Sequence, residues 1–271
     1  MRNLLTWMVL LLAGQPLLAQ TVQTQTEPLP ALIIVIDDLG NNNRLGQRTV
    51  NLPGPVNLAL LPHTPFARSL VNAGYAHGHG IMLHAPMESL TEKNAGPGLL
   101  STDMDKTQIR QTMIGNLDDI PGVQGVNNHM GSKLTQSRSS MNWVMDVLRE
   151  RNLFFIDSRT AGNTIAAQAA AMNGLATLER DVFLDNERDT ALIEQQFQKG
   201  LAIARKQGFA VMIGHPHPET LDVLSQQLTS ISEAPEAEFR LMRAGDFLKE
   251  RKSLLERMPR FPIIQPRTAG N

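Results

Sequence analysis

Acidic residues and histidines stand at the ends of five apolar stretches of the sequence, where they could act together on a substrate. These residues are Asp37, Asp38, His84, His129, Asp157 and His215. Two imidazoles and a carboxylate with one open position form a ligand set of catalytic sites for Zn²⁺ or another divalent metal. Such a metal acidifies water and polarises a carbonyl group, so the residues indicate hydrolysis of an amide or ester.

The adjacent acids Asp37 and Asp38 must face the same way to serve one site. Neighbouring residues on a strand face opposite sides unless the backbone turns, and Gly40 is expected to allow that turn. One acid then binds the metal while the other accepts a proton from water. A turn or a helix cap explains any one strand-end residue, but five stretches that end in this way favour a shared site.

Seven apolar runs rich in Val, Ile and Leu are predicted to be strands. They are LIIVIDD, VNLALLP, HGIMLHAPM, GVQGVNNHM, NLFFIDS, RDVFLD and FAVMIGHP. Segments with helical spacing lie between most of them, as in Met141, Val144, Met145 and Leu148. This alternation indicates an α/β fold with a mainly parallel sheet, either a barrel or an open doubly wound sheet. In both, ligands bind at the carboxyl ends of the strands.

The composition excludes several classes of protein. The chain has 271 residues, of which 42% are hydrophobic, and a formal net charge of -1. A substantial core is therefore expected, and no basic surface for nucleic acid. Because the chain has no cysteine, it has no disulfide, no thiolate metal ligand and no cysteine nucleophile. Metal ligands must come from His, Asp, Glu or Asn.

Four segments are predicted along the chain. Residues 1–19 have the charged start, apolar centre and small last residue of a signal peptide, and cleavage after Ala19 is favoured over retention as an anchor. Residues 20–30 form a polar leader, residues 31–250 the folded domain and residues 251–271 a proline-rich tail. The protein is thus expected to be exported to the periplasm or envelope of a bacterium, without a stable membrane span after cleavage.

Five motifs occur in order over nearly all of residues 31 to 248, namely VIDDLG, MLHAPME, NNHMGS, FIDSRT and IGHPHPET. Each is weak alone, but together they resemble the divergent polysaccharide deacetylase family. The resemblance implies a distorted (β/α) barrel of about seven mainly parallel strands. It also implies a divalent metal cofactor, foremost Zn²⁺, and the removal of N- or O-acetyl groups from a polysaccharide substrate.

The resemblance implies a role for each motif residue. Asp37 is the general base that accepts a proton from water. Asp38, His84 and His129 are the metal ligands. His215 is the general acid that protonates the departing amine or alkoxide.

Further residues are implied around these groups. Asp157 with Arg159 orients or neutralises the reacting groups. Glu88 stands four residues after His84, where the superfamily usually has a second histidine, and is a metal ligand, a partner of a ligand or a salt-bridge acid.

Residues beside the motif histidines are expected to contact substrate or support the ligands. These are Asn128, Ser132 and His217. For Ser132 the favoured alternative is to cap the next helix, and His217 could help to start a helix.

The sequence is compatible with two functions. One is a metal-dependent hydrolase that deacylates an envelope or exported polysaccharide, and the other is a non-catalytic envelope protein that binds a glycan or a partner. Sugar grooves usually contain Trp or Tyr, yet Tyr75 is the only tyrosine and Trp143 the only tryptophan beyond the predicted signal peptide. The groove therefore relies on polar side chains, or the substrate is small, or it is not a glycan.

Overall fold

A nine-stranded parallel sheet surrounded by helices forms the core of the protein. The computed structural model describes residues 28–91, 94–234 and 236–257. The strands are β1 Ala31–Leu39, β2 Asn57–Leu60, β3 Gly80–Met87, β4 Gly125–Met130, β5 Phe154–Asp157, β6 Thr177–Glu179, β7 Val182–Phe183, β8 Phe209–Gly214 and β9 Arg240–Leu241. The α-helices are α1 Asn43–Val50, α2 Ala67–Ala76, α3 Lys106–Asp119, α4 Arg138–Glu150, α5 Ala166–Met172, α6 Thr190–Gln207, α7 Pro218–Ser232 and α8 Ala244–Arg257.

The sheet has the order β6-β5-β4-β3-β2-β1-β8-β7, with β9 paired to β1, and each of these pairings is parallel. Strand β1 pairs with β2 on one side and with β8 on the other, from Ala31 opposite Phe209 to Ile36 opposite Gly214. The predicted distorted (β/α) barrel is confirmed. Short strands β6 and β9 were not among the seven predicted runs, because two or three residues are too few to show a pattern.

The barrel has a seam between β6 and β7, which lie at opposite ends of the sheet and do not pair among the described residues. Only Arg180 and Asp181 separate these strands in the chain. The Arg180 N–H donates to the carbonyl of Asp157 at 2.9 Å, and the Asp181 N–H donates to the carbonyl of Val211 at 2.9 Å. This dipeptide therefore links β5 to β8 across the seam.

Side chains along each strand alternate between the barrel interior and the surrounding helices. In β1, Ile33 and Val35 belong to the interior cluster, whereas Ile34 packs in the outer cluster with the helices. Fully burying an isoleucine side chain stabilises the fold by roughly 1.5–3 kcal/mol. Because the period is two, Asp37 continues the inward row of Ile33 and Val35.

Helix ends follow from local hydrogen bonds. The side chain of Asp105 accepts from the N–H of Gln108, whose own side chain accepts from the N–H of Asp105, so α3 begins in a capping box. Asp189 caps α6 by accepting from the Leu192 N–H, and Gly208 ends that helix at a positive φ of 87°. The predicted apolar stripe on α4 is confirmed, since all four of its residues are buried.

Helix α8 closes the amino-terminal end of the barrel. Its residues Ala244, Phe247 and Leu248 join the interior cluster. The helix continues to Arg257, so the chain remains helical for seven residues past position 250, where the proline-rich tail was expected to begin.

Several predicted segments fall wholly or mostly outside the described residues. The signal peptide of residues 1–19 does so entirely, as do residues 20–27 of the leader and residues 258–271 of the tail. Within the described part of the chain, the helices are too short or too polar to cross a membrane.

Candidate active site

The end of β1 brings both acids of the motif VIDDLG to the barrel interior. Asp38 has a positive φ of 56°, and the pairing of β1 with β2 changes register between Ile36 and Leu39. Gly40 has a positive φ of 121°, so the expected turn is present there, and it begins at Asp38. Because of it, Asp38 contacts the same histidine as the inward-facing Asp37.

One carboxylate oxygen and two imidazole nitrogens, each able to bind a metal, form a small triangle at the end of β1. Oδ1 of Asp38 lies 3.2 Å from Nε2 of His84 and 2.9 Å from Nδ1 of His129. The two imidazole nitrogens are 3.1 Å apart. The structure therefore brings the three predicted metal ligands together, from strands β1, β3 and β4.

The triangle fits a divalent metal ion. Ligand atoms about 2.0–2.2 Å from a tetrahedral Zn²⁺ are roughly 3.3 Å from one another, close to the three edges. Oδ1 of Asp38 is buried and has no hydrogen bond of ordinary geometry, although two ring nitrogens lie within 3.2 Å. Burial alone would lower the pKa of His84, but Asp37 and Asp38 outweigh that effect and raise it. The same negative potential attracts a cation.

Asn127 of β4 joins the acid of β1 to the histidine of β3. Its Oδ1 is 2.9 Å from Nδ1 of His84, and its Nδ2 donates to Oδ1 of Asp37 at 2.8 Å. The amide oxygen can only accept, so Nδ1 of His84 carries a proton, which leaves Nε2 as the nitrogen that can bind a metal. Nδ2 of Asn127 also contacts Oγ of Ser158 at 3.1 Å.

Asp37 and Asp38 differ in their acidity. Burial raises the pKa of Asp37, and the nearby His84 and His215 offset this only in part. Burial would also raise the pKa of Asp38, but the imidazoles of His129 and His84 outweigh it and hold that pKa well below the usual range. One acid is thus suited to take up a proton and the other to stay ionised.

His215 faces the triad from the end of β8. Its Nε2 lies 3.8 Å from Oδ2 of Asp38, while its Nδ1 lies 3.0 Å from Oδ1 of Asp185. Oδ2 of Asp185 accepts from the backbone N–H of His215 at 2.6 Å and from the hydroxyl of Thr220 at 2.7 Å. Burial alone would lower the pKa of His215, but the bond to Asp185 and the charges of Asp37, Asp185 and Asp38 together outweigh it and raise the pKa to about 9.

Two clefts meet at the triad and share Asp38 and His129. The larger, of about 480 Å³, lies on the side of β5 to β8. It is lined by Asp37, Asp38, His84, Asn128, His129, Met130, Ser158, Arg159, Thr160, Arg180, Phe183, Asn186, Ile213 and His215. The smaller, of about 350 Å³, is lined by Asp38, Asn41, Leu61, Pro62, His63, Thr64, Pro86, Asn94, Ala95, Gly96, Pro97 and His129.

Asp157 does not point to this site, contrary to the prediction. Its carboxylate accepts from the N–H groups of Arg159 at 2.8 Å and Ala167 at 3.2 Å, and from the hydroxyl of Thr164 at 2.9 Å. It therefore lies on the helix side of β5, like Phe155, and fixes the loop before α5. The next inward position after Ile156 is Ser158.

Glu88 is also away from the triad. Its carboxylate accepts from Nζ of Lys133 at 2.6 Å and from the N–H and hydroxyl of Thr102 at 2.8 and 2.6 Å. Burial alone would raise the pKa of Glu88, but these bonds outweigh it and lower the pKa to about 2. Of the alternatives, the geometry supports the salt-bridge acid.

The remaining predicted residues support loops around the site. Oδ1 of Asn128 accepts from the Ser158 N–H at 2.9 Å, which holds the loop after β5 against β4. Ser132 does not cap the next helix, which Ser137 caps instead; its hydroxyl accepts from the N–H of Leu90 at 2.9 Å. His217 precedes α7 without a side-chain cap bond, and its ring stacks on that of His215.

Several residues of the site were not predicted from the sequence, and the four that matter most are Asn127, Arg180, Phe183 and Asp185. Asp185 ends the run RDVFLD as the other acids end theirs, and Asn127 lies two residues before His129 on the same face of β4. Arg180 lies at the seam between two strands, which a local pattern does not reveal.

The fold and the site together define an α/β barrel with a triad of Asp38, His84 and His129, a candidate metal site, at the carboxyl ends of its strands. The chain belongs to the divergent polysaccharide deacetylase family, whose model matches residues 34–242. It is 34% identical to the uncharacterized protein YibQ of Escherichia coli (strain K12) over 249 residues, 92% of this chain and 74% of that protein.

Two further proteins are similar to this chain, one in sequence and one in fold. An uncharacterized protein of Haemophilus influenzae (strain ATCC 51907 / DSM 11121 / KW20 / Rd) is 34% identical over 202 residues, 74% of this chain and 72% of that protein. The crystal structure of the uncharacterized protein ATU2773 from Agrobacterium tumefaciens C58 has the same fold. Its TM-score is 0.77 at 21% identity, over 82% of this chain and 90% of that chain.

Proposed function

We propose that the protein is a metal-dependent hydrolase that removes acetyl groups from a polysaccharide of the bacterial envelope or an exported polysaccharide. The observation that carries the proposal is the arrangement of two proton-transfer groups, Asp37 and His215, beside a triangle of three metal ligands. A protein that only binds glycan has no need of these two groups. The family assignment supports the same class of reaction.

Asp38, His84 and His129 hold the metal. Two imidazoles and one carboxylate suit Zn²⁺, which leaves a position open to water or substrate. When bound, the ion acidifies water and polarises the acetyl carbonyl.

Asp37 accepts the proton of the attacking water. Its Oδ1 is held by Asn127, so Oδ2, which lies 3.6 Å from Nε2 of His84, is the oxygen available beside the triad. The raised pKa of this buried carboxylate makes it a better base than an exposed aspartate.

His215 supplies a proton to the departing nitrogen or oxygen. Because Oδ1 of Asp185 accepts from Nδ1, the acidic N–H that faces the triad is on Nε2. A pKa of about 9 keeps this imidazole protonated at neutral pH. Asp185 is a positioning residue, since it acts on the reaction through His215.

The clefts support a polymer as substrate. They leave the triad in two directions and share only Asp38 and His129, so a chain can continue on both sides of the sugar that is deacetylated. Phe183 of the larger cleft supplies an apolar ring in place of the expected Trp or Tyr. Export of the protein by its predicted signal peptide would bring the site to such a polymer.

Acetate release from acetylated glycans, with metal analysis of the purified protein, tests this function. We expect one equivalent of bound metal and acetate release that falls by about 10²-fold or more in Asp37→Asn and His215→Asn. Asp222→Asn, on the exposed face of α7, is the control that keeps full activity. Bound metal without acetate release from any glycan would favour the non-catalytic binding protein, and absence of metal would refute the site.

A further inference from the structure

The larger cleft has a pair of arginines on one wall, which the described lining of the smaller cleft lacks. Arg159 and Arg180 both line the larger cleft, although the chain as a whole has a net charge of -1. Among its described lining residues, the smaller cleft has Asp38 of the triad as its one acid and no arginine or lysine. The two directions out of the site therefore differ in charge.

Arg180 is half-buried, and its bonds are to neutral acceptors. Its Nε donates to the carbonyl of Ser158 at 2.6 Å and its Nη2 to that of Arg159 at 2.9 Å. Within the described parts of the chain its guanidinium forms no ion pair, although the charges of Asp37 and Asp157 act on it from further away. The guanidinium lies 4.9 Å from the ring centre of Phe183, which fixes its plane. A half-buried cation without a directly bonded carboxylate favours an anion from outside.

Arg159 is directed to the same wall by its backbone. Arg159 has a positive φ of 51°, which is unusual for a residue other than glycine. The carboxylate of Asp157 holds this turn by accepting from the N–H of Arg159. Its nearest carboxylate is that of Glu179, 3.8 Å from Nε, and both side chains are about half exposed. Such an exposed pair is weak and can exchange for a ligand.

We propose that Arg159 and Arg180 bind an anionic group, a carboxylate or a phosphate, on the sugar next to the one that is deacetylated. The inference rests on the proposed function and narrows its substrate to an acidic polysaccharide. Arginine suits this role because its planar donors match the oxygens of both groups. A neutral glycan would leave Arg159 with only its weak pair to Glu179 and Arg180 without a directly bonded anion.

The inference is tested by measuring, by calorimetry, how tightly oligosaccharides bind to the zinc-loaded Asp37→Asn protein, which does not turn them over. The probes are three tetrasaccharides with the same backbone: one of N-acetylglucosamine, one with a lactyl carboxylate on alternate sugars, and one with a 6-phosphate on alternate sugars. We expect one of the anionic probes to bind about tenfold tighter than the neutral probe or better, as charge-assisted bonds do. The anionic probe that binds more tightly shows whether the subsite recognises a carboxylate or a phosphate.

The arginines are then replaced in turn in the same protein. Arg159→Gln and Arg180→Gln should reduce the preference for the anion to about twofold or less, and added salt should weaken it. Arg151→Gln is the matched control, because its side chain is 47% exposed against 48% for Arg159 and pairs with Asp118. If Arg180→Gln destabilises the seam, Arg159→Gln and Arg180→Lys provide the comparison.

Each outcome separates the inference from the proposed function. Equal binding of the three probes, weaker binding of both anionic probes, or no binding at all would overturn the anionic subsite. So would a preference that survives both arginine substitutions. Acetate release by the wild-type protein is measured on the same probes. If none is deacetylated, the proposed function fails, while the binding preference still decides whether the subsite exists.

Discussion

Asn127 orients His84 through a hydrogen bond of 2.9 Å from Nδ1 of the imidazole to the amide oxygen. The same amide donates to Asp37, so a single side chain fixes the tautomer of a metal ligand and the position of the proposed base. Partners of this kind are worth about 10–100-fold in metal affinity.

Asn127→Leu is therefore expected to weaken zinc binding by about 10–100-fold and to lower the rate of deacetylation further. The measurement is a zinc titration against a chelator of known affinity. Asn116→Leu is the control, because Asn116 is equally buried but bonds to Gly98 and His63. It should lower the melting temperature while zinc affinity stays the same, and an equal loss of affinity in both variants would contradict the role of Asn127.

The pair of His215 and Asp185 predicts the alkaline limit of activity. A general acid must be protonated, so kcat/KM should fall as the pH rises through about 9, the pKa of His215. In Asp185→Asn the main contact that raises this pKa is lost, and the limit should move towards the ordinary value of about 6.5. The measurement is a pH profile of kcat/KM for both proteins. An unchanged alkaline limit in the variant would show that another group sets it.

Zinc is expected to stabilise the folded protein. At a free concentration of about 100 times Kd, binding to the native state adds about 2.7 kcal/mol. For a domain of this size that raises the melting temperature by roughly 5–10 °C. Calorimetry with zinc and with a chelator measures the shift. It should vanish in His129→Ala and persist in His77→Ala, whose histidine lies outside the triad; a shift that survives His129→Ala would mean that zinc binds elsewhere.

Glu88 is expected to stabilise the fold without affecting the metal. Because the pKa of Glu88 is lowered to about 2, its contribution is present above the ordinary pKa of 4.5 and is lost as the pH falls through about 2. Glu88→Gln should therefore lower the melting temperature at pH 7 and make little difference near pH 2. Zinc affinity should equal that of the wild type, and a variant that binds zinc tenfold more weakly would place Glu88 in the metal site after all.

The sequence predicted much of the site because most of its chemistry lies at strand ends. The run before Asp37 and the run before His215 are long and apolar, so their carboxyl ends could be located to within a residue. Asp157 was misplaced because a strand end alone does not tell which face a side chain takes. Phe154 and Ile156 of β5 face the barrel interior. Because side chains alternate along a strand, the next residue on that face is Ser158 and not Asp157.

The parts of the site that were missed depend on contacts between distant segments. Arg180 is positioned by the carbonyls of Ser158 and Arg159, 22 and 21 residues away in the chain. The positive φ of Asp38 was not predicted either, because local preference points to glycine, and Gly40 does follow at a φ of 121°. Patterns within one segment cannot supply such information, because packing between segments determines it.

The position of β1 between β2 and β8 has a consequence for the order in which the protein folds. The proposed metal ligands come from β1, β3 and β4, which are close in the chain, whereas His215 requires β8 to pair with β1 over nearly the whole length of the domain. Contacts of large sequence separation form slowly because loop closure costs entropy. We therefore expect the ion to be captured by a half-formed barrel, and hydrolysis to begin only when the last strands join.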